Sequence, residues 1–244
     1  MLGKLLGRGK EAEVFELGGD VVKLYPPGGG KLAVFREAAI LAALEGTGIP
    51  APILRGASLI EGRWGLVMSR ADGPSLGDRL GQSPAEAPGI LATLVGLHRE
   101  LHAQPAETLP PLATRLRNRI ARAPHLDANL RSRLLDALAA RPTGDRLCHG
   151  DFHPYNVIDA PRGPVIVDWP DACQGDPAAD ACRSFLLMHL AVPAFADAYL
   201  AAYAAAGDVP ATAIRAWLPI VAAARLAENV AGETDRLVAL ASEA

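Results

Sequence analysis

His149-Gly150-Asp151-Phe152-His153-Pro154-Tyr155-Asn156, with Asp168 after it, is the stretch whose reading decides this chain. Asn156 is followed by Val157-Ile158, then Asp159-Ala160-Pro161-Arg162-Gly163-Pro164, then Val165-Ile166-Val167. Two apolar β runs around a segment of turn formers predict a hairpin. A hairpin brings its outer ends together, so Asn156 is expected beside Asp168. Two hard oxygen ligands at one place suit Mg2+, which takes one or two protein oxygens and leaves the rest of its shell to phosphate and water.

Asp151 precedes Asn156 in the same loop. That spacing fits an aspartate that accepts a hydroxyl proton while an asparagine holds metal. Two other readings of the stretch exist. His149, Asp151 and His153 form an H-x-D-x-H set of the kind that ligates zinc in hydrolases, and a run rich in Asp, Pro and Asn can be a plain structural turn. The zinc reading leaves Asn156 and Asp168 unexplained, and His153 reads as packing within the loop.

Around this stretch the chain changes character. Residues 2–6, 13–17 and 21–25 are short strand runs separated by glycines, 33–45 reads as a helix, and 54–60 and 64–68 read as two more strands. Residues 69–74 look like a linker. Beyond it, Ile90, Leu94, Leu97 and Leu101 recur at helical spacing, in a helix that begins near Ser83 or Pro88. Further helices are expected at 112–123, 127–140, 177–191, 194–206, 211–231 and 233–242. The fold class is therefore α+β and bilobal. A small antiparallel β lobe with one helix covers 1–70, and a mainly helical lobe covers 71–244 and carries the loop 149–156.

Composition narrows the function. Of the 244 residues half are hydrophobic, and the net charge is −3 with 24 scattered Lys and Arg. This gives no basic field for nucleic acid. No stretch approaches the ~20 apolar residues of a membrane span, and the first ten residues lack a signal-peptide core. Cys148, Cys173 and Cys182 form neither a CxxC pair nor an even set, as expected of a reduced cytoplasmic protein.

The H-G-D-x-x-x-x-N run, with Asp168-Trp169 after it, resembles the aminoglycoside phosphotransferase and choline kinase family, whose fold is related to that of protein kinases. The resemblance implies that Asp151 is the catalytic base and that Asn156 and Asp168 bind Mg2+. It also implies ATP as phosphoryl donor, and loop support from His149 and from Asp180 in Gly175-Asp176-Pro177-Ala178-Ala179-Asp180. Asp176 before Pro177 reads as an ordinary helix N-cap.

The first lobe adds support. Gly7-Arg8-Gly9-Lys10-Glu11-Ala12 keeps two of the three glycines of a phosphate-cradling G-x-G-x-x-G, with Ala12 in the third place. Lys23 lies inside the apolar run Val21-Val22-Lys23-Leu24-Tyr25, which alone would suggest an edge-strand lysine facing water. Glu37, however, falls on the apolar stripe of its own helix, and a carboxylate there is costly unless paired. Lys23 and Glu37 fit the lysine–glutamate pair of kinases, while Arg36 points to solvent. Met68, Ser69 and Ala71, at the end of the 64–71 segment, would then flank adenine.

The acceptor is expected to be a small molecule bearing a hydroxyl, because the short interval between Asp168 and the helix at Asp176 leaves no peptide-holding segment and no A-P-E follows. Asp180, Asp197, Asp208, Glu228, Glu233, Asp235 and Glu243 could form an acidic wall for a polycationic aminoglycoside. Tyr199, Tyr203 and Trp217 could form an aromatic cage for a choline-type ammonium. Kinases of sugars or amino alcohols, and a nucleotide-binding regulatory module without turnover, are the alternatives. His98 and His102 share a helical face and read as the buried side of an inner helix.

Overall fold

The computed structural model describes residues 2–9, 12–207 and 209–243. In chain order its first elements are β1 (Leu5–Arg8), β2 (Glu13–Leu17), β3 (Asp20–Leu24), α1 (Lys31–Leu44), β4 (Leu54–Ile60), β5 (Arg63–Ser69) and α2 (Leu76–Gln82). There follow α3 (Ala87–Ala103), α4 (Leu112–Arg122), α5 (Ala128–Ala139), β6 (Arg146–Cys148), β7 (Val157–Ala160), β8 (Gly163–Ile166) and β9 (Cys173–Gly175). The chain ends in α6 (Pro177–Ala191), α7 (Pro193–Ala206), α8 (Ala211–Arg215), α9 (Leu218–Leu226) and α10 (Thr234–Ala241). No helix among the described residues is long and apolar enough to cross a membrane.

The contacts divide the chain into two compact units, one running to Arg79 and including Pro154–Pro170, the other made of Leu80–His153 and the chain from Asp171 on. The division falls nine residues later than the expected end of the first lobe at residue 70, and it places the β7–β8 hairpin with the amino-terminal sheet. Local sequence patterns could not show this, because it depends on pairings between distant segments.

In the first unit β1 to β5 form one antiparallel sheet in the order β1-β2-β3-β5-β4, and β7 and β8 form a separate two-stranded one. β3 is therefore central, with Lys23 opposite Val14 on one side and Leu66 on the other. A lysine in a central strand cannot turn its backbone edge to water, so the edge-strand reading is overturned. α1 packs against β4 and β5, burying Val34, Ile40, Leu41 and Leu44 together with Glu37. The hairpin joins this unit through the segment before α2: Asp159 N–H donates to the Pro74 carbonyl at 2.9 Å, and Ser75 bridges Ile158. Gly73 makes that approach possible. It adopts φ +144°, and a Cβ there would overlap the Asp159 carbonyl oxygen.

α2 is absent from the sequence expectation, and Gly77 and Gly81 within it are poor helix formers. Its start is nonetheless encoded. Ser75 Oγ accepts from Asp78 N–H at 3.0 Å, and Asp78 Oδ2 accepts from Ser75 N–H at 3.3 Å, a reciprocal capping box. The helix expected over 211–231 is two, α8 and α9, because Pro219 lies in the first turn of the second and its ring cannot continue a helix from the preceding turn. β6 and β9 pair antiparallel over three residues each, too short to read by alternation.

In the second unit α3 buries Ile90, Leu94, Leu97, His98, Leu101 and His102. α6 is packed on nearly every side, by α7, α8 and α9 and by β6. It opens as expected, with Asp176 accepting from Ala178 N–H at 2.8 Å and Pro177 in the first turn.

Gly73→Ala should cost about 3 kcal/mol, from left-handed backbone strain plus displacement of β7. Thermal unfolding should therefore fall by roughly 6–12 °C. An unchanged melting temperature would show that the hairpin does not depend on this approach.

Candidate active site

Lys23 is the hinge of the first unit's chemistry. Its Nζ lies 2.9 Å from Glu37 Oε2, 3.0 Å from Glu37 Oε1 and 2.6 Å from Asp168 Oδ1. Tyr25 Oη donates to Glu37 Oε2 at 2.9 Å, so the buried carboxylate has donors on both oxygens. Burial by itself pulls the Lys23 pKa down, but Glu37 and Asp168 outweigh it and hold the ammonium above its ordinary value. For Glu37, burial pushes the carboxyl upward against the pull of Lys23. Arg36 is exposed, as expected.

The hairpin does what its sequence predicts. Val157 pairs with Ile166, and Val167 N–H donates to the Asn156 carbonyl at 2.9 Å, so Asn156 and the chain entering Asp168 are adjacent. Trp169 is buried and its Nε1–H donates to the Ile166 carbonyl at 2.8 Å, which fastens the chain just past Asp168. Asp168 itself has φ +66°, a left-handed conformation that aspartate tolerates better than most residues. Its side chain is about half exposed (47%).

The remaining first-unit candidates lie along the sheet. Gly7 in β1 pairs with Val14, and Gly9 N–H donates to the Ala12 carbonyl at 2.9 Å. Lys10 and Glu11 of that turn lie outside the described residues. Met68 pairs with Val21 and with Leu54. Ser69 Oγ accepts from Ile53 N–H at 2.8 Å, and Ala71 follows β5, half-buried.

In the second unit Asp180 is the hub. Its Oδ2 accepts from His149 N–H at 2.7 Å and its Oδ1 from Gly150 N–H at 2.8 Å. His98 Nε2 lies 3.0 Å and His102 Nε2 3.2 Å from Oδ2, while their Nδ1 atoms each lie 2.6 Å from a tyrosine hydroxyl, Tyr199 and Tyr203 respectively. The three side chains have the spacing of a metal site. The donor inventory explains them otherwise, because each ring nitrogen already has a partner: tyrosine O–H to Nδ1, and Nε2–H to Asp180. Burial holds His98 neutral, its pKa lowered to about 3. Burial acts against the Asp180 carboxylate, but the hydrogen bonds from His102 and His98 hold it well below the ordinary range.

Asp180 thus pins the backbone on which Asp151 rides. Gly150 has φ +81°, and a Cβ there would overlap the Asp171 carbonyl, so this loop position requires glycine. His149 is fully buried, and its Nδ1 accepts from Asp151 N–H at 3.2 Å. The Asp151 carboxylate is met by Arg183, whose Nη2 donates to Oδ1 at 2.9 Å. His153 Nε2 stands 3.6 Å from Oδ2. Burial opposes ionisation of Asp151, yet the hydrogen bond from His153 and the charge of Arg183 hold it far below the usual carboxylate range. Sequence reasoning missed Arg183. The available signal was a charged residue one helical turn beyond Asp180, in an otherwise apolar helix.

The acidic wall expected of segment 177–244 does not form among the described residues. Glu228 is bonded to Arg119, Arg183 and Arg225, Glu233 to Arg225, and Asp197 to Arg215. Asp180 is buried, Asp208 lies outside the described residues, and Asp235 and Glu243 are exposed at the two ends of α10. Nor do Tyr199, Tyr203 and Trp217 form an aromatic cage. Tyr199 and Tyr203 are buried against the histidines, and Trp217 is buried with the Arg141 guanidinium 5.6 Å from its ring centroid.

A five-stranded antiparallel sheet carrying one helix, continued by a mainly helical unit, is the fold of the kinase-like phosphotransferases. The sequence model of the phosphotransferase enzyme family matches residues 3–219, and the chain belongs to that family. It is accordingly a phosphotransferase, an enzyme that transfers a phosphoryl group. No curated protein matches the chain by sequence. Among solved structures it is similar to a thermostable mutant of aminoglycoside phosphotransferase APH(4)-Ia, with TM-score 0.72 and 17% identity over 99% of this chain and 92% of that one. It is also similar to the type VIII aminoglycoside-3'-phosphotransferase, with TM-score 0.64 and 24% identity over 92% and 90%. A third is APH(3'')-Id from Streptomyces rimosus, solved with ADP and streptomycin, with TM-score 0.64 and 20% identity over 87% and 90%.

Asp180→Asn should destabilise the protein by about 3 kcal/mol, since one oxygen becomes a donor facing buried N–H groups. The folded-state pKa of Asp180 is depressed, so its contribution is complete above pH about 4 and is lost as pH falls further. The stability gap between wild type and D180N, measured by urea unfolding, should be constant from pH 7 to 5 and narrow below 4. A gap that widened in acid would contradict this role.

Proposed function

We propose that the enzyme transfers the γ-phosphoryl group of Mg-ATP to a hydroxyl of a polyhydroxylated small molecule, with Asp151 as base. The observation that carries this is Lys23, held at once by Glu37 and Asp168. A sheet lysine fixed by two carboxylates is a positioned, permanent cation of the kind that binds α/β-phosphates. Gly7 and Gly9 support the same reading. A Cβ at Gly7 would meet nothing within 4 Å, so packing does not demand glycine there, whereas a phosphate approaching the backbone would.

Asn156 and Asp168 offer an amide oxygen and a carboxylate from the adjoining ends of one hairpin, a donor set that fits Mg2+. Bound there, the metal would neutralise phosphate charge. Lys23 would hold the α/β-phosphates, and Met68, Ser69 and Ala71 would flank adenine. Asp151 would orient the acceptor hydroxyl and take its proton as the new O–P bond forms and the bond to ADP breaks. Positioning and charge neutralisation carry most of such catalysis.

The likeness to enzymes solved with hygromycin B and with streptomycin supports an acceptor built of linked hydroxylated rings. The three cysteines are free and buried, in keeping with a cytoplasmic setting.

Asp151→Asn should lower turnover by ~10²–10⁴ and leave ATP affinity unchanged. The assay is phosphate transfer from γ-labelled Mg-ATP to a panel of sugars, polyols, amino alcohols and aminoglycosides. Full activity in D151N would overturn the base. Nucleotide binding with no transfer to any acceptor would instead mark a regulatory module.

A further inference from the structure

Arg183 poses a problem that the family mechanism does not answer. Its side chain is 92% removed from solvent, and a buried guanidinium is tolerated only where carboxylates compensate it. Two do so, through the same nitrogen. Nη2 donates to Asp151 Oδ1 at 2.9 Å and to Glu228 Oε1 at 2.8 Å. Glu228 is itself anchored, accepting from Arg119 Nη1 at 3.0 Å and pairing with Arg225, which in turn holds Glu233 at 2.8 Å. An alternating chain of charges therefore runs from Glu233 through Arg225, Glu228 and Arg183 to the carboxylate of Asp151.

Glu228 and Glu233 follow α9, beyond residue 219, where the family match ends. The anchoring end of this chain thus lies in a part of the sequence that the family pattern does not describe. At the other end, Arg183 and Asp180 sit one turn apart on α6, on the same face. Asp180 fixes the loop backbone at His149 and Gly150, and Arg183 fixes the side chain that the loop carries. With Oδ1 engaged by Arg183, Oδ2 is the oxygen turned toward His153. A carboxylate that must take a proton from a particular hydroxyl gains from such a fixed orientation, because misplacement of a reacting group by about 1 Å can cost ~10²-fold.

We infer that Arg183 and Glu228 are positioning residues for the catalytic base, so that the segment after α9 sets the orientation of the Asp151 carboxylate. This rests on the reading of Asp151 as base. Neither residue need touch acceptor or nucleotide; each acts through its neighbour in the charge chain.

The test is a double-mutant cycle on the full chain. ADP formation from Mg-ATP with water as acceptor is measured at a temperature where circular dichroism shows every variant folded. Arg183→Met should lower kcat by ~10²-fold while KM for ATP stays within twofold. Arg183→Lys should recover part of the loss, since one cation still reaches Asp151, and Glu228→Gln should lower kcat by a smaller factor. In a D151N background, R183M should add less than a twofold effect, because the residue it serves is already disabled. A purely structural arginine would instead lower the melting temperature and leave kcat intact. R183M with wild-type kcat, or equal effects of R183M with and without Asp151, would overturn the inference. Full activity in D151N would overturn the base assignment itself, a distinguishable outcome. Should turnover with water be too slow to follow, a crystal structure of R183M decides. A rotated Asp151 carboxylate on an unmoved His149–Gly150 backbone is expected, and an unmoved carboxylate would contradict the proposal.

Discussion

The ion pairs of Lys23 with Glu37 and Asp168 are the constraint on which the first unit depends. An ammonium in the central strand of a sheet and a carboxylate on the buried face of a helix are each costly alone. Together, and with Asp168 as third member, they join three separate pieces of chain: β3, α1 and the end of the β7–β8 hairpin. Such a triad adds little net stability compared with apolar side chains of equal volume. Its value is the geometry it imposes, a cation held between two carboxylates, one of them half open to solvent.

The second unit solves a related problem with different means. α6 is buried on almost every side and yet carries Asp180 and Arg183. Asp180 is compensated mainly by N–H dipoles, two from the loop backbone and two from the rings of His98 and His102, whose other nitrogens meet Tyr199 and Tyr203. Arg183 is compensated by full charges. The first arrangement fixes a backbone and the second fixes a side chain, and both act on the loop 149–153. A helix this apolar retains two ionised residues because each completes a network that an apolar replacement would leave unsatisfied.

Much of this was legible in the sequence, for physical reasons that differ from residue to residue. The hairpin could be read because alternation and turn chemistry are local, and Lys23 and Glu37 could be paired because each broke the apolar pattern of its own element. α2 was hidden by Gly77 and Gly81, although Ser75 and Asp78 spelled its capping box. The strands β6 and β9 were too short to show a period. The acidic residues of the carboxy-terminal segment misled, because their charges are visible in sequence and their arginine partners are not. Arg119 and Arg183 come from different helices, and only the folded chain brings them to Glu228.

The most direct test of the central claim is a cycle of Lys23→Met and Glu37→Gln, read as kcat/KM for Mg-ATP. If Glu37 acts by holding Lys23, each single change lowers kcat/KM by ~10²-fold and the double variant is no worse than K23M alone. If the two losses multiply in the double variant, Glu37 and Lys23 act independently and the triad is not the organising feature of the site.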